Sequence, residues 1–294
     1  MVTEGEVRDA VSRHWGLSSV RVEPHHGGMN SATWFVHGPG ERWVAKLVPG
    51  AARRAFTAGL SVAVLVAAAG TASGPPVPTR TGALVADLDG ASLALLTWVP
   101  GDPLGTAGSD QQLLAKTLAR VHRGLVGTTV EDADTFHWVD PDAPHLALRP
   151  WLRPAVATAL DALAALDPAA LCQGLLHTDP APEAFRRDPV TGACGLIDWQ
   201  VGMVGPLLYD LASAVMYAGG PCAAADLIAA YLPQGPIPAA EVARGLPVLL
   251  RFRWAVQADY FARRIVEHDL TGIADPADNQ AGLAAARRML GELG

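Results

Sequence analysis

Cysteine is scarce in this 294-residue chain: only Cys172, Cys194 and Cys222 occur, widely spaced and with no CxxC pair. That excludes a disulfide framework and a cysteine zinc site, and points to small packed thiols in a reducing, cytoplasmic compartment. Long apolar runs are also missing. The most apolar stretch, residues 58–69, is about a dozen small side chains, short of the ~20 needed to span a bilayer. The opening MVTEGEVRDAVSRHWG is acidic and amphipathic, unlike a secretory signal. Charged residues make up only 17%, and 22 Lys+Arg face 29 Asp+Glu, a net charge of −7. No cationic surface for nucleic acid follows from that balance, and no membrane partner is expected. The first hundred residues are close to neutral, so the acid excess lies in the remainder.

What the chain has in quantity is apolar side chains, 50% of all residues. Its length suits two domains or one bilobal unit. Residues 3–15 read as a helix. Alternation then predicts strands at 19–23, 33–36 and 43–48, with HGPGER as a hairpin turn between the last two. Phe56, Leu60, Val64 and Ala67 recur at helical spacing before Gly70, and strands follow at 84–88 and 93–99. Pro100-Gly101-Asp102-Pro103 breaks the pattern and marks a domain boundary, giving lobes 1–99 and 100–294. Beyond it helices dominate: 111–125, 154–166, 208–217, and 240–267 as two helices broken near Pro247. Residues 126–149 show no periodicity and read as a surface insertion. A β-rich front and an α-rich back predict an α+β fold with a cleft between its lobes.

The sharpest local pattern is LLHTDPAPEAF at 175–185, followed by CGLIDWQ at 194–200 and GPLLYDLA at 205–212. Asp179 and Asp198 each follow an apolar run, at the mouth of a short strand. Two such carboxylates can converge on one divalent cation or one reacting hydroxyl. Magnesium needs only one or two of them when phosphates supply its other oxygens, and a separate carboxylate can orient a hydroxyl and take its proton. His25-His26 has no third partner at metal spacing. Trp98 and Trp199 read as packing rings.

These motifs resemble the aminoglycoside phosphotransferases and their choline, homoserine and fructosamine kinase relatives, over nearly the whole chain. The resemblance implies a bilobal protein-kinase-like fold: an N-terminal antiparallel sheet with a helix, and a mainly helical C-terminal lobe. It implies a kinase for a hydroxyl of a small molecule, an antibiotic or related metabolite, using ATP or GTP and Mg. Asp179 falls on the catalytic aspartate and Asp198 on the magnesium ligand. Lys46, in WVAKLV, falls on the lysine that neutralises phosphates. Gly27, Gly28, Asn30 and Ser31 fall on the loop over the phosphates, Thr97, Trp98 and Val99 on the inter-lobe linker that reads the adenine edge. His177 and Asp210 match residues bracing the catalytic loop.

Two departures from the family pattern stand out. Five positions after Asp179, where the family has a metal-binding asparagine, this chain has Ala184; the neighbouring Glu183 is the nearest substitute oxygen. The family's lysine is held by a glutamate on the next helix, yet no acidic residue lies between Pro49 and Ala86. Thr57 is the successor by position, and Lys46 is left to pair directly with Asp198. The alternative to a working kinase is therefore a pseudokinase-like nucleotide- or ligand-binding protein. A metal-dependent hydrolase ranks third, because it leaves Lys46 idle. In the family the C-terminal helices build the acceptor pocket, so Arg253, Gln257, Asp259 and Tyr260 are the candidate substrate contacts, in a monomer or homodimer.

Overall fold

A computed structural model describes residues 2–25, 31–136 and 139–293. The chain opens with α1 (Glu4–Trp15), begun by a capping box in which the Thr3 hydroxyl accepts from the Glu6 amide and the Glu6 carboxylate accepts from the Thr3 amide. Five strands follow: β1 (Arg21–His25), β2 (Ala32–His37), β3 (Arg42–Val48), β4 (Ala86–Leu88) and β5 (Ala91–Thr97). They form one antiparallel sheet in the order β1-β2-β3-β5-β4.

The period of two in the sequence decides which face does what. Trp34 and Val36 of β2, Ala45 and Leu47 of β3, and Leu93 and Leu95 of β5 pack with Val7, Ala10 and Val11 of α1. The opposite face carries Thr33, Lys46 and Ala94 in one cross-strand row, with Phe35, Val44 and Leu96 in the next. On that side lies α2 (Arg53–Ala68), whose Phe56 and Leu60 pack on Val48, Val85 and Ala94.

With its leading turn, α2 is 19 residues long and apolar enough to cross a membrane by length and composition. In the structure it is a packed element, and its Val62, Ala63 and Val66 join the larger core of the C-terminal part. Two glycines permit its closest approach. A Cβ on Gly59 would stand 2.7 Å from the Val201 amide nitrogen, and one on Gly202 would stand 2.7 Å from the Ala58 Cβ. The helix therefore rests backbone against backbone on the segment just after Asp198.

The C-terminal part is built from α3 (Gly108–Leu125), α4 (Leu152–Leu166), α5 (Leu208–Tyr217), α6 (Ala225–Tyr231), α7 (Ala239–Val266) and α8 (Pro276–Glu292). Two three-stranded sheets sit among them. One orders β10 (Cys194–Leu196), β9 (Phe185–Arg187) and β6 (Asp102–Pro103). The other orders β7 (Asp134–Thr135), β11 (Met203–Pro206) and β8 (Gln173–Leu176). The fold is α+β, with an antiparallel sheet first and a mostly helical remainder.

Two expectations are corrected here. The first is that α7 runs unbroken for 28 residues through Pro247. An interior proline costs about 3 kcal/mol. Leu246, Leu249, Leu250 and Phe252 of α7 are all buried, and each contributes about 1.5–3 kcal/mol. Packing outweighs the lost hydrogen bond. The second is that residues 126–149 are no surface insertion. Phe136, Val139, Ala143 and Leu146 are buried in the main core, and β7 pairs in parallel with β11. Each apolar residue there anchors singly, so no period announces the packing.

Candidate active site

The end of β8 delivers His177, Thr178 and Asp179. Their backbone is held by Asp210, 1% exposed in the first turn of α5. Its Oδ2 accepts from the His177 amide at 2.7 Å and its Oδ1 from the Thr178 amide at 2.8 Å. Thr178 is thereby kept at φ +73°, a region that a β-branched residue enters only under constraint. Behind Asp210 stands buried His122 of α3, Nε2 3.3 Å from Oδ2 and Nδ1 2.7 Å from the Tyr231 hydroxyl.

His177 joins this loop to the one bearing Asp198. Its Nε2 donates to the Ile197 carbonyl at 2.8 Å, its Nδ1 accepts from the Asp179 amide at 3.3 Å, and its ring stands edge-on to Trp199 at 4.6 Å. One imidazole thus couples the two carboxylate loops through backbone groups. That is a positioning duty and leaves neither ring nitrogen for acid–base work.

Asp198 follows β10 with φ +78° and a side chain 40% exposed. Its Oδ1 accepts from Lys46 Nζ and from Gln200 Nε2, the latter at 3.1 Å. Shielding from solvent pushes its carboxyl up, but the Lys46 charge and these hydrogen bonds outweigh it and hold the group below the usual carboxylate range. Oδ2 accepts no hydrogen bond among the described residues, so one hard oxygen is left without a protein partner there. With Asp198 as donor and phosphate oxygens for the remainder, the residues fit a magnesium ion. Among the described residues no group of three or more His, Cys, Asp or Glu could hold a metal unaided.

Lys46 is buried, 8% exposed, on the sheet face that looks away from α1. Thr57 does not take the place of a helix glutamate beside it. It lines a separate cavity with Arg53, Arg54, Leu84 and Asp132. Ala184 is buried in the turn Pro182–Ala184, and its carbonyl accepts from the Ile197 amide at 2.9 Å, so this position serves packing. Glu183 is exposed. Among the described residues no hydrogen bond or ion pair joins it to Asp198.

The sheet face nearest the linker carries Phe35, edge-on to Trp98 at 5.5 Å and tilted against His25 at 4.7 Å. Of the linker residues, Thr97 spends its amide on the Pro75 carbonyl at 2.9 Å, while the amides of Trp98 and Val99 bond no backbone group among the described residues. Behind the linker a cavity of about 350 Å³ is lined by residues 70–75 and 97–100. Ser31 is buried with its hydroxyl 3.4 Å from that of Thr33. Gly27, Gly28 and Asn30 lie outside the described residues.

The substrate candidates on α7 divide. Arg253, 5% exposed, donates to Asp179 Oδ1 at 2.7 Å and from Nε to the Ser213 hydroxyl at 2.6 Å. Turned so that its oxygen faces the guanidinium, the only orientation in which both groups are satisfied, the Gln257 amide accepts from both terminal nitrogens at 3.0 Å. Arg253 is thus committed to the protein, under Asp179, and Gln257, half-buried, is tied to it through its amide oxygen. Asp259 is held 2.6 Å from His145 Nε2, and the Tyr260 hydroxyl accepts from buried Arg264 at 3.3 Å. Sequence alone does not single out Tyr217, Ser213, Gln200 or Phe35. The spacing of Asp210, Ser213 and Tyr217, three and then four residues apart on a helix, is the available signal for two of them.

Solved structures with the same fold include an amicoumacin kinase in complex with AMP-PNP, Ca²⁺ and Ami, which is 17% identical. It covers 98% of this chain and 93% of its own, with a TM-score of 0.74. The choline kinase LicA from Streptococcus pneumoniae is 14% identical, covering 98% of this chain and 99% of its own at a TM-score of 0.71. A spectinomycin phosphotransferase in complex with ADP and spectinomycin is 12% identical, covering 99% and 97% at 0.62. No curated protein sequence matches this chain. A family model described as the phosphotransferase enzyme family matches residues 21–246, and on that match the chain belongs to this family.

Proposed function

We propose that this phosphotransferase moves the γ-phosphoryl group of ATP (or GTP) to a hydroxyl of a small molecule. Residues 1–99 act as the nucleotide-binding lobe and residues 100–294 as the catalytic and acceptor-binding lobe. The observation that carries the reading is the pairing of Lys46, from the sheet, with Asp198, whose loop is coupled through His177 to the loop of Asp179. A lysine and a carboxylate from the two halves of the chain meet where a nucleotide phosphate and its metal need opposite charges.

Lys46 neutralises phosphate oxygens, and Asp198, assisted by Gln200, holds magnesium. Bound there, the metal offsets the charge of the phosphate oxygens. Trp98 and Val99 offer backbone amides to the base, beneath Phe35. Asp179 Oδ2, which accepts no hydrogen bond among the described residues, orients the acceptor hydroxyl. As the new O–P bond forms, the bond from the γ-phosphorus to the bridging oxygen breaks, its electron pair leaves with the nucleoside diphosphate, and the hydroxyl proton passes to Asp179.

Glu183 does not serve as the second metal ligand in this reading, since it is exposed and no hydrogen bond or ion pair joins it to the Asp198 loop among the described residues. Ala184 and the α2 face without an acid favour a second reading, a nucleotide-binding protein that transfers nothing. A panel of hydroxylated acceptors, starting with aminopropanol, choline and spectinomycin, is incubated with Mg·ATP and analysed by mass. The expected outcome is a gain of one phosphoryl group, lost at least about 10²-fold in Asp179→Asn. Nucleotide binding with no phosphorylated product across the panel selects the second reading.

A further inference from the structure

The Asp179 carboxylate is more than half exposed, yet it is anchored from below by a fully enclosed cation. Its Oδ1 accepts from the Tyr217 hydroxyl at 2.6 Å and from Arg253 at 2.7 Å. Arg253 is itself fixed on every side. Ser213 takes its Nε at 2.6 Å, Gln257 takes both terminal nitrogens, and the Tyr217 hydroxyl stands 3.4 Å from one of them. The Ser213 hydroxyl also reaches the Thr178 carbonyl at 3.5 Å, in the loop that carries Asp179.

Enclosing a guanidinium strips it of favourable hydration, and an exposed aspartate needs no such partner to be stable. What the arrangement supplies is orientation. A free carboxylate turns about its terminal torsion, so either oxygen can face outward. Two charge-assisted donors on Oδ1 stop that rotation and leave Oδ2 as the outward oxygen. Tyr217 is a suitable partner, since burial, together with the Asp179 charge, raises its phenol well above the ordinary tyrosine range and keeps it a donor.

We propose that Arg253 and Tyr217 are positioning residues that lock Asp179 Oδ1 from the α5–α7 side, so that Oδ2 alone receives the acceptor hydroxyl. The proposal rests on the reading of Asp179 as the hydroxyl-orienting carboxylate.

The test separates orientation from binding and from folding. Phosphoryl transfer is followed with Mg·ATP and an acceptor found in the panel, and Mg·ATP affinity is measured independently by calorimetry. In Tyr217→Phe the kcat falls about tenfold, and in Arg253→Ala about 10²-fold, with nucleotide affinity within about twofold of wild type. Arg253→Lys keeps the charge without the fork and lies between. Added guanidinium at sub-denaturing concentration restores Arg253→Ala about tenfold, which no merely structural residue would allow. A kcat within twofold of wild type in Tyr217→Phe overturns the proposal. So does a loss that lies wholly in nucleotide affinity.

Should the wild type phosphorylate nothing, the functional reading falls, and the lock is judged by melting alone. Asp179→Asn then lowers Tm by about 2–4 °C in the wild type, by weakening the partner of an enclosed cation, and has no effect in Arg253→Met. Equal shifts in the two backgrounds refute the lock independently of any activity.

Discussion

At the scale of single residues, the site is defined by which carboxylate oxygen is occupied. Asp198 gives Oδ1 to Lys46 and Gln200, and Asp179 gives Oδ1 to Tyr217 and Arg253; each leaves Oδ2 without a hydrogen bond among the described residues. Because the Asp198 carboxyl titrates lower folded than unfolded, its contribution to stability is complete above the unfolded value, near pH 4, and is lost as pH falls through the folded value. Melting curves between about pH 5 and pH 3 should therefore fall less steeply for Asp198→Asn than for wild type. A variant as steep as wild type would show that Lys46 does not stabilise the ionised form. Asp179 and Asp198 stand out in the sequence because each follows a short apolar run, whereas Lys46 and His177 are picked out by the resemblance of their motifs to the family. Arg253 could be seen only as a cation on a helix. Its partners Ser213 and Tyr217 come from 36 to 40 residues earlier in the chain, a separation no local pattern encodes.

At the scale of elements, the balance between backbone rules and packing is visible in α7. Pro247 is exposed, so its ring packs little while its missing N–H leaves one helix bond unmade. Replacing it with alanine should raise Tm by about 2–4 °C without altering nucleotide affinity; calorimetric scans of the two proteins decide. The sequence rule that proline ends a helix failed here because it weighs one bond and ignores the leucines on either side. Strands β2, β3 and β5 were legible for the opposite reason, since alternation reports burial on one face directly. The role of α2 was not legible at all: its fit depends on Gly59 meeting the backbone at Gln200 and Val201. Gly59→Ala puts a methyl against backbone atoms that cannot swing aside. It should destabilise by about 1–3 kcal/mol and weaken Mg·ATP binding by displacing the Asp198 loop. Unchanged affinity in a folded variant would show that the contact is only mechanical.

At the scale of the whole molecule, the two halves of the chain are joined by the linker, by α2 and by the Lys46–Asp198 pair. A ligand that bridges the same groups stabilises both halves at once. Saturating Mg·ATP, at about 100 times its Kd, should add about 2.7 kcal/mol to folded-state stability, and chelating the metal should remove most of that gain. A melting temperature indifferent to both additions would contradict nucleotide binding at this cleft. In the protein-kinase scheme an acid on the mobile helix holds the strand lysine, so displacing the helix disarms the site. Here α2 brings no acid to Lys46 and lies clasped through Gly59 and Gly202 to the loop that bears Asp198. Tilting that helix would not release the lysine; it would pull the aspartate away.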